Sequence, residues 1–416
     1  MAKLVVQKYG GTSVANVSRI MKVARRVVSV KRAGCNVVVV VSALGDTTDK
    51  LIELAHKITP FPNEREFDML ISTGEQVSVA LLAMAIHKIG VQAISFTGAQ
   101  VEIITDSSFT KARILNINTK KIEAELKKNK IVIIAGFQGI TVNNDITTLG
   151  RGGSNLTAVA ISKVLGADVC EMNTDVEGVF TADPRVVKNA VKLDVLSYDE
   201  MLEIASLGSQ VLQPRSVIFA KKFNVPICVR SSFSKGKGTY ITQETKAMME
   251  GMVISGVTYD QREVKITICD VPDRKGIAAR IFNTLSKEQI NVDMIIQNVS
   301  RTGCTDISFT VPKTSFNKTL QTAKQIVKDV KAGKVVYDQD IAKVSIVGVG
   351  MKSHYGVAAQ MFGALAEKNI NIEMISTSEI SISCVIKKEK ALIAVRALHK
   401  VFGLEKISKT IKKEAF

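Results

Sequence analysis

At 416 residues the chain exceeds one ordinary domain and predicts two to four domains, each large enough to bury its own core. Its 46% hydrophobic content is that of a globular protein, no apolar run approaches the roughly 20 residues of a membrane span, and the N-terminus lacks a basic, apolar, small-residue leader, so a cytoplasmic protein with no membrane partner is expected. The formal charge of +17 comes from lysines interleaved with glutamates on helical faces rather than one basic stripe, which argues against nucleic acid and suits small acidic substrates.

The first predicted strand ends on Lys8 and Tyr9 and runs into Gly10, Gly11, Thr12 and Ser13. Bare backbone N–H groups at a helix start attract anions, phosphate above all; an ordinary tight turn with a snorkelling lysine is the other reading. A helix follows, with Asn16 as N-cap and Gly34 beyond its end. NVVVVVSAL (36–44), KIVIIAGFQG (130–139) and ADVCEMNTD (167–175) read as buried strands, and EQVSVALLAMAIHKIG (75–90) as a helix stopped by Gly90. Strands alternating with amphipathic helices over about the first 240 residues predict an α/β domain with a mostly parallel sheet sandwiched by helices. Polar stretches fall where its strands should end, which is where such sheets bind ligands: 8–13, SALGDTTD (42–49), TLGRGGSN (148–155) and NTDVEGVFTADPR (173–185), with STGEQ (72–76) opening a helix. Gly152-Gly153-Ser154, beside Arg151, present a second helix N-terminus suited to a phosphate or carboxylate; a plain surface loop is the alternative.

A Ser/Lys/Gly-rich loop (231–243) marks a change of character, and a repeat follows. The stretch from Val264 aligns without gaps on that from Val344, Gly276 matching Gly356, Phe282 Phe362, Asn291 Asn371 and Met294 Met374. Each copy reads as a ferredoxin-like βαββαβ unit that closes with its own final strand; the units leave sheet edges needing cover, so a homodimer or higher oligomer is expected. The expected domains are 1–245, 246–335 (linker and first repeat) and 336–416. Scattered Cys35, Cys170, Cys228, Cys269, Cys304 and Cys384, with four scattered histidines, suggest neither disulfides nor a metal site built from protein residues. Walker-A, H-R-D, D-F-G and G-x-G-x-x-G patterns are absent.

KYGGTSV, SALGDTTD, STGEQVS, AGFQG, TLGRGGS, TDVEGVFTADPR and RSSF resemble, in order and spacing, the motifs of aspartate kinases within the amino-acid kinase family, and the repeat resembles their paired ACT domains. The resemblance implies an amino-acid kinase fold followed by two ACT domains. It further implies transfer of the ATP γ-phosphoryl group, with Mg2+, to the β-carboxylate of L-aspartate, the first step toward lysine, threonine and methionine. By similarity, Lys8, Asn155 and Asp175 are catalytic, and Ser42, Thr47, Glu75, Arg151, Gly152, Gly153 and Ser154 hold aspartate. The nucleotide is held by Lys8, Tyr9, Gly10, Gly11, Thr12, Ser13, Thr174, Asp175, Phe180, Thr181, Asp183, Arg185 and Gln210. Asn155 stands where the family usually has aspartate, and Gln210 where it commonly has lysine, which predicts slowed turnover. These departures keep open an alternative, a catalytically weak amino-acid-sensing subunit. No dehydrogenase module follows the repeats, so a monofunctional chain is expected. Feedback by lysine, threonine or both is implied, through Asp273, Gly276, Ile277, Ala278, Asn291, Gln297 and Asn298 in the first copy, and Ser353, His354, Val357, Asn371, Ile372, Ser378 and Glu379 in the second.

Overall fold

The computed structural model describes residues 2–209, 211–243, 253–298 and 303–406. The N-terminal part is built on an eight-stranded sheet. From one edge its strands are Val195–Ser197, Thr239–Thr242, Ile227–Ser231, Val169–Thr174, Leu4–Tyr9, Asn36–Val41, Ile131–Ala135 and Ala93–Phe96. All neighbours are parallel except Ile227–Ser231 against Thr239–Thr242. The strand at 36–41 is an unbroken valine run because both its faces are covered: Val37, Val39 and Val41 pack under Val17–Arg32 and Thr73–Lys88, while Val38 and Val40 meet Gly153–Leu165 on the other side.

Asn16 caps the first helix through its side-chain oxygen, which accepts from the Arg19 amide at 3.0 Å, and Gly34 beyond its end has φ +90°, as expected. The helical stretch Glu64–Lys88 has the length and apolarity of a membrane span, contrary to the reading from composition, yet 56% of its most apolar window is buried against the sheet. A second, small sheet, in the order Ile114–Ile117, Ile103–Thr105, Gln138–Ile140, Ile146–Thr148, sits beside the main one. It corrects one expectation: TLGRGGSN follows the last of these short strands, not a strand of the main sheet, because the main-sheet strand ends at Ala135 and a hairpin intervenes.

The C-terminal half holds two four-stranded antiparallel sheets, each with two helices. The first, in the order Ile295–Gln297, Cys304–Pro312, Glu263–Pro272, Val335–Asp338, is a complete βαββαβ unit. The second departs from the expected pattern. Its order is Gly256–Asp260, Ile341–Val347, Ser381–Lys387, Met374–Thr377, so its outer strand comes from ahead of the first unit instead of from its own C-terminal end. The first repeat is therefore inserted between the outer strand of the second and the rest of it. The reason is packing: Val257 and Ile254 join the second unit's core beside Ile346 and Leu398, while Ala391–Val401 covers the face they complete. The two units pack as a pseudo-symmetric pair in which each lends a lysine to the other. Lys343 contacts Asp293 and, at 2.9 Å, Glu263; Lys265 contacts Glu373, the repeat's counterpart of Asp293.

The second unit is also joined to the N-terminal domain. The Val257 amide donates to the Thr181 carbonyl at 2.8 Å, Arg396 Nε donates to the Val186 carbonyl at 3.0 Å, and the Ser378 hydroxyl donates to Glu203 at 3.0 Å.

Candidate active site

Because the central strands run parallel, their C-terminal ends open on one edge. In register, Tyr9 lies between Val41 and Asn173, and Val41 beside Ala135. The chain leaves the sheet to one side after Leu4–Tyr9 and returns on the other with Val169–Thr174, creating a switch point where a crevice forms. Backbone bonds tie the loops of this edge together: the Ser42 amide donates to the Tyr9 carbonyl (3.0 Å), Gly45 to Gly11 (3.1 Å), Gly136 to Val41 (3.0 Å) and Ser232 to Thr174 (2.7 Å).

The glycines are required by these approaches. A Cβ on Gly11 would lie 2.8 Å from the Gly45 carbonyl oxygen and 2.9 Å from that of Ala43; one on Gly74 would lie 2.7 Å from Ala43 Cβ; one on Gly136 would lie 2.7 Å from Ser154 Cβ. Bare backbone thus lets 8–13, 42–47, 73–75 and 152–154 converge, bringing the starts of Thr47–Ile58, Thr73–Lys88 and Gly153–Leu165 to one place. Their unsatisfied N–H groups and dipoles make the crevice electropositive.

Two charged groups dominate it. The Lys8 ammonium lies beside Gly10, whose Cβ would sit 3.2 Å from Nζ. Burial lowers it to about 8, with Cys170 and Asp175 pulling the other way, and it forms no ion pair among the described residues. Glu75 is 2% exposed. One of its oxygens accepts from the Ala43 amide at 3.0 Å, while the other is buried with no hydrogen-bond partner. Burial pushes this carboxyl up to about 7, against the Ala43 bond and its own amide. A buried oxygen without a donor is costly unless a ligand supplies one.

Of the other expected residues, Ser42, Thr47, Arg151, Gly152, Gly153, Ser154 and Asn155 sit around this edge. The Thr47 hydroxyl donates to the Leu44 carbonyl at 2.6 Å; Arg151 is exposed; Ser154 and Asn155 are buried in the first turn of their helix. Gly10, Thr12, Thr174 and exposed Asp175 lie on the opposite flank, with the Thr174 hydroxyl 3.1 Å from Asp175 Oδ1. Asp183 and Arg185 form a bidentate pair in which the guanidinium holds the carboxyl below its usual range, and Phe180 bridges to Lys192.

Four of the expected residues have side chains engaged elsewhere. Tyr9 is fully buried in the core beneath Val17–Arg32, its hydroxyl on Gln7, because its alternation along the strand turns it away from the crevice. Ser13 is buried with its hydroxyl 2.7 Å from that of Ser232. Thr181 is fully buried and its hydroxyl lies 3.0 Å from His399 Nε2, so it faces the second repeat. Ser378, expected at an effector site, bonds Glu203 of the N-terminal domain. Gln210 and the side chain of Ser353 lie outside the described residues.

Sequence reasoning missed two supports. Asp68, fully buried, accepts from the Thr110 amide (2.8 Å) and from both the amide (2.7 Å) and the hydroxyl (2.6 Å) of Thr148. Arg215 donates to the carbonyls of Leu149 and Ala112, each at 2.6 Å. Both brace the loop that carries Arg151 from positions distant in sequence, where no local pattern points to them.

Among the described residues no group of three or more His, Cys, Asp or Glu could hold a metal ion. Asp175, near Lys8, suits an ion that arrives on a nucleotide's phosphates better than one caged by protein.

The sequence profile of the amino acid kinase family matches residues 3–231, and ACT domain profiles match 265–330 and 344–402. The chain belongs to the aspartate kinases of the amino acid kinase family. It is 51% identical over 402 residues to the aspartate kinase of Stutzerimonas stutzeri, covering 97% of this chain and 98% of that one. It is 52% identical over 403 residues to the aspartokinase of Pseudomonas aeruginosa, again covering 97% and 98%. Among solved structures, E. coli aspartokinase III in complex with aspartate and ADP superposes with a TM-score of 0.79 at 25% identity, covering 96% of this chain and 99% of that one. The kinase fold and the ACT identity of both repeats, expected from the motifs, are thereby established.

Proposed function

We propose that the crevice binds ATP and L-aspartate together and transfers the γ-phosphoryl group to the β-carboxylate. A carboxylate oxygen forms the new P–O bond as the bond to the β-phosphate oxygen of ADP breaks, giving 4-phospho-L-aspartate and ADP. The observation that carries this reading is the pairing of Lys8, an ammonium near a strand end with no ion-pair partner among the described residues, with an unpartnered carboxylate oxygen of Glu75, in the first turn of Thr73–Lys88 and tied to Ala43 just past the next strand. A zwitterionic dicarboxylate receiving phosphate presents the complementary charges. Glu75 takes the substrate ammonium, Arg151 its α-carboxylate in a bidentate fork, and Thr47 and Ser42 the remaining oxygens. Lys8 and the amides of Gly10 and Gly11 neutralise the migrating phosphoryl group. Asp175 and Thr174 would hold a phosphate-borne Mg2+, which would neutralise charge on the phosphate oxygens. Asn155 and Ser154 cap the acceptor side. In Asn155 a neutral amide replaces a carboxylate, which lowers turnover. Positioning and charge neutralisation are what this reaction asks of a protein.

The same reading places the enzyme in the cytoplasm at the entry to lysine, threonine and methionine synthesis, under feedback by lysine or threonine. Support comes from the ACT repeats and from a crystal structure of E. coli aspartokinase III with lysine and aspartate, in which 25% of residues match at a TM-score of 0.75. In both copies a glycine with φ near +85°, Gly276 and Gly356, heads the first helix and leaves N–H groups open to a small amino acid. Asp273, Ile277, Ala278, Gln297 and Asn298 lie at the loop end of the first unit and His354, Val357 and Glu379 at that of the second, whereas Asn291, Asn371 and Ile372 lie at the opposite end of their own units. Pairing of these units between subunits gives a dimer. An ATP-dependent hydroxamate assay tests the reaction: product with aspartate and none after Lys8→Ala supports it, and equal product with glutamate overturns it.

A further inference from the structure

The loop from Leu149 to Gly153 carries Arg151 on a strand end that belongs to the small sheet, with the Leu149 amide donating to the Phe137 carbonyl at 2.8 Å just past the main-sheet strand Ile131–Ala135. Gly150 and Gly152 both have φ +75°, a conformation glycine takes without strain and other residues rarely adopt. Beside Asp68, a second hold comes from the helix Pro214–Phe223. Its Arg215 reaches under the loop with both terminal nitrogens, one on the Leu149 carbonyl and one on the Ala112 carbonyl, each at 2.6 Å. Ala112 is itself tied to the last strand of the small sheet, its amide donating to the Thr148 carbonyl at 2.9 Å. Gln213, at the same helix start, closes on the loop's other side: a Cβ on Gly152 would lie 2.1 Å from Gln213 Cγ.

We propose that Arg215 is a positioning residue for the acceptor substrate, setting through the Leu149 carbonyl the place at which Arg151 meets the aspartate α-carboxylate. The proposal rests on the reading of Arg151 given above. A forked guanidinium bonds two carbonyls at a fixed separation, which an ammonium does not reproduce. Arg215 itself touches no substrate. Its loss therefore acts on the acceptor side and leaves the nucleotide side, built from 8–13 and 174–185, in place.

The test is steady-state kinetics on the full chain carrying Arg215→Lys, Arg215→Met, Arg151→Ala and the double variant Arg151→Ala/Arg215→Met. Expected are a rise in KM for aspartate of about tenfold in Arg215→Met, a smaller rise in Arg215→Lys, and a KM for ATP within twofold of the parent in both. In the double variant the KM for aspartate should match that of Arg151→Ala alone, because a residue acting through Arg151 has nothing left to act on. Additive effects, or an equal rise in both KM values, would overturn the positioning role. An unchanged KM for aspartate in Arg151→Ala would instead overturn the reading on which it rests. Should Arg215→Met fail to fold, Arg215→Lys decides alone: a KM for aspartate equal to the parent's refutes the proposal.

Discussion

Glu75→Gln should move binding and pH-dependent stability in opposite directions. The Glu75 carboxyl is 2% exposed and has been pushed from its ordinary 4.5 to about 7 by burial. At ~1.4 kcal/mol per pH unit that displacement corresponds to about 3 kcal/mol. The folded state holds the proton more tightly than the unfolded chain, so its contribution to stability is complete below pH 4.5 and is lost as pH rises through about 7. Gln cannot titrate, so the unfolding free energy of the parent, minus that of the variant, should fall by about 3 kcal/mol between pH 4.5 and pH 8. Over the same substitution, loss of a charge-assisted bond to the substrate ammonium should raise the KM for aspartate by roughly 10- to 100-fold at pH 8. Denaturant unfolding of parent and variant at the two pH values, alongside hydroxamate kinetics, measures both. Parallel pH profiles of stability would show that Glu75 is not an ionising buried group. An unchanged KM would show that its free oxygen does not face the substrate.

Lys8 predicts the alkaline limb of activity: kcat/KM for MgATP should decline above pH 8 as the ammonium loses its proton, and Lys8→Arg, whatever its absolute rate, should remove that decline up to pH 10. Asn155→Asp, restoring a charge in the first turn of its helix, should raise kcat by about tenfold in the same assay, and an unchanged or lower kcat would refute the account of slowed turnover. Lys343→Met leaves Glu263 buried without its cation and should lower the stability of the C-terminal half by about 3 kcal/mol in calorimetry, with partial recovery in the double variant Lys343→Met/Glu263→Gln.

The parallel core was legible because its strands carry their own punctuation: valine runs covered on both faces, an asparagine cap and glycine stops. The crevice was legible for a related reason. Close backbone approach requires glycine, and Gly11, Gly74 and Gly136 are where a side chain would collide. What stayed hidden depends on pairing between distant segments. The small sheet is built from three- and four-residue strands whose alternation is too short to read. The outer strand of the second repeat comes from ahead of the first, an arrangement that repeat alignment alone cannot show, since the matched stretches begin after it. Tyr9, Ser13 and Thr181 sit inside the right motifs but face the core or a neighbouring domain. A motif says where a backbone turns; the side chain's direction follows from pleat and packing.

Direct transfer requires donor and acceptor to occupy one crevice at the switch point of the sheet. A bisubstrate compound, with the aspartate β-carboxyl joined through a phosphate chain to adenosine, tests this directly. Inhibition competitive against both ATP and aspartate, with a Kd at least 100-fold below the KM of either substrate and lost in Lys8→Ala and Glu75→Gln alike, is the predicted result. Inhibition competitive against one substrate only, with affinity no better than that half of the compound alone, would contradict it.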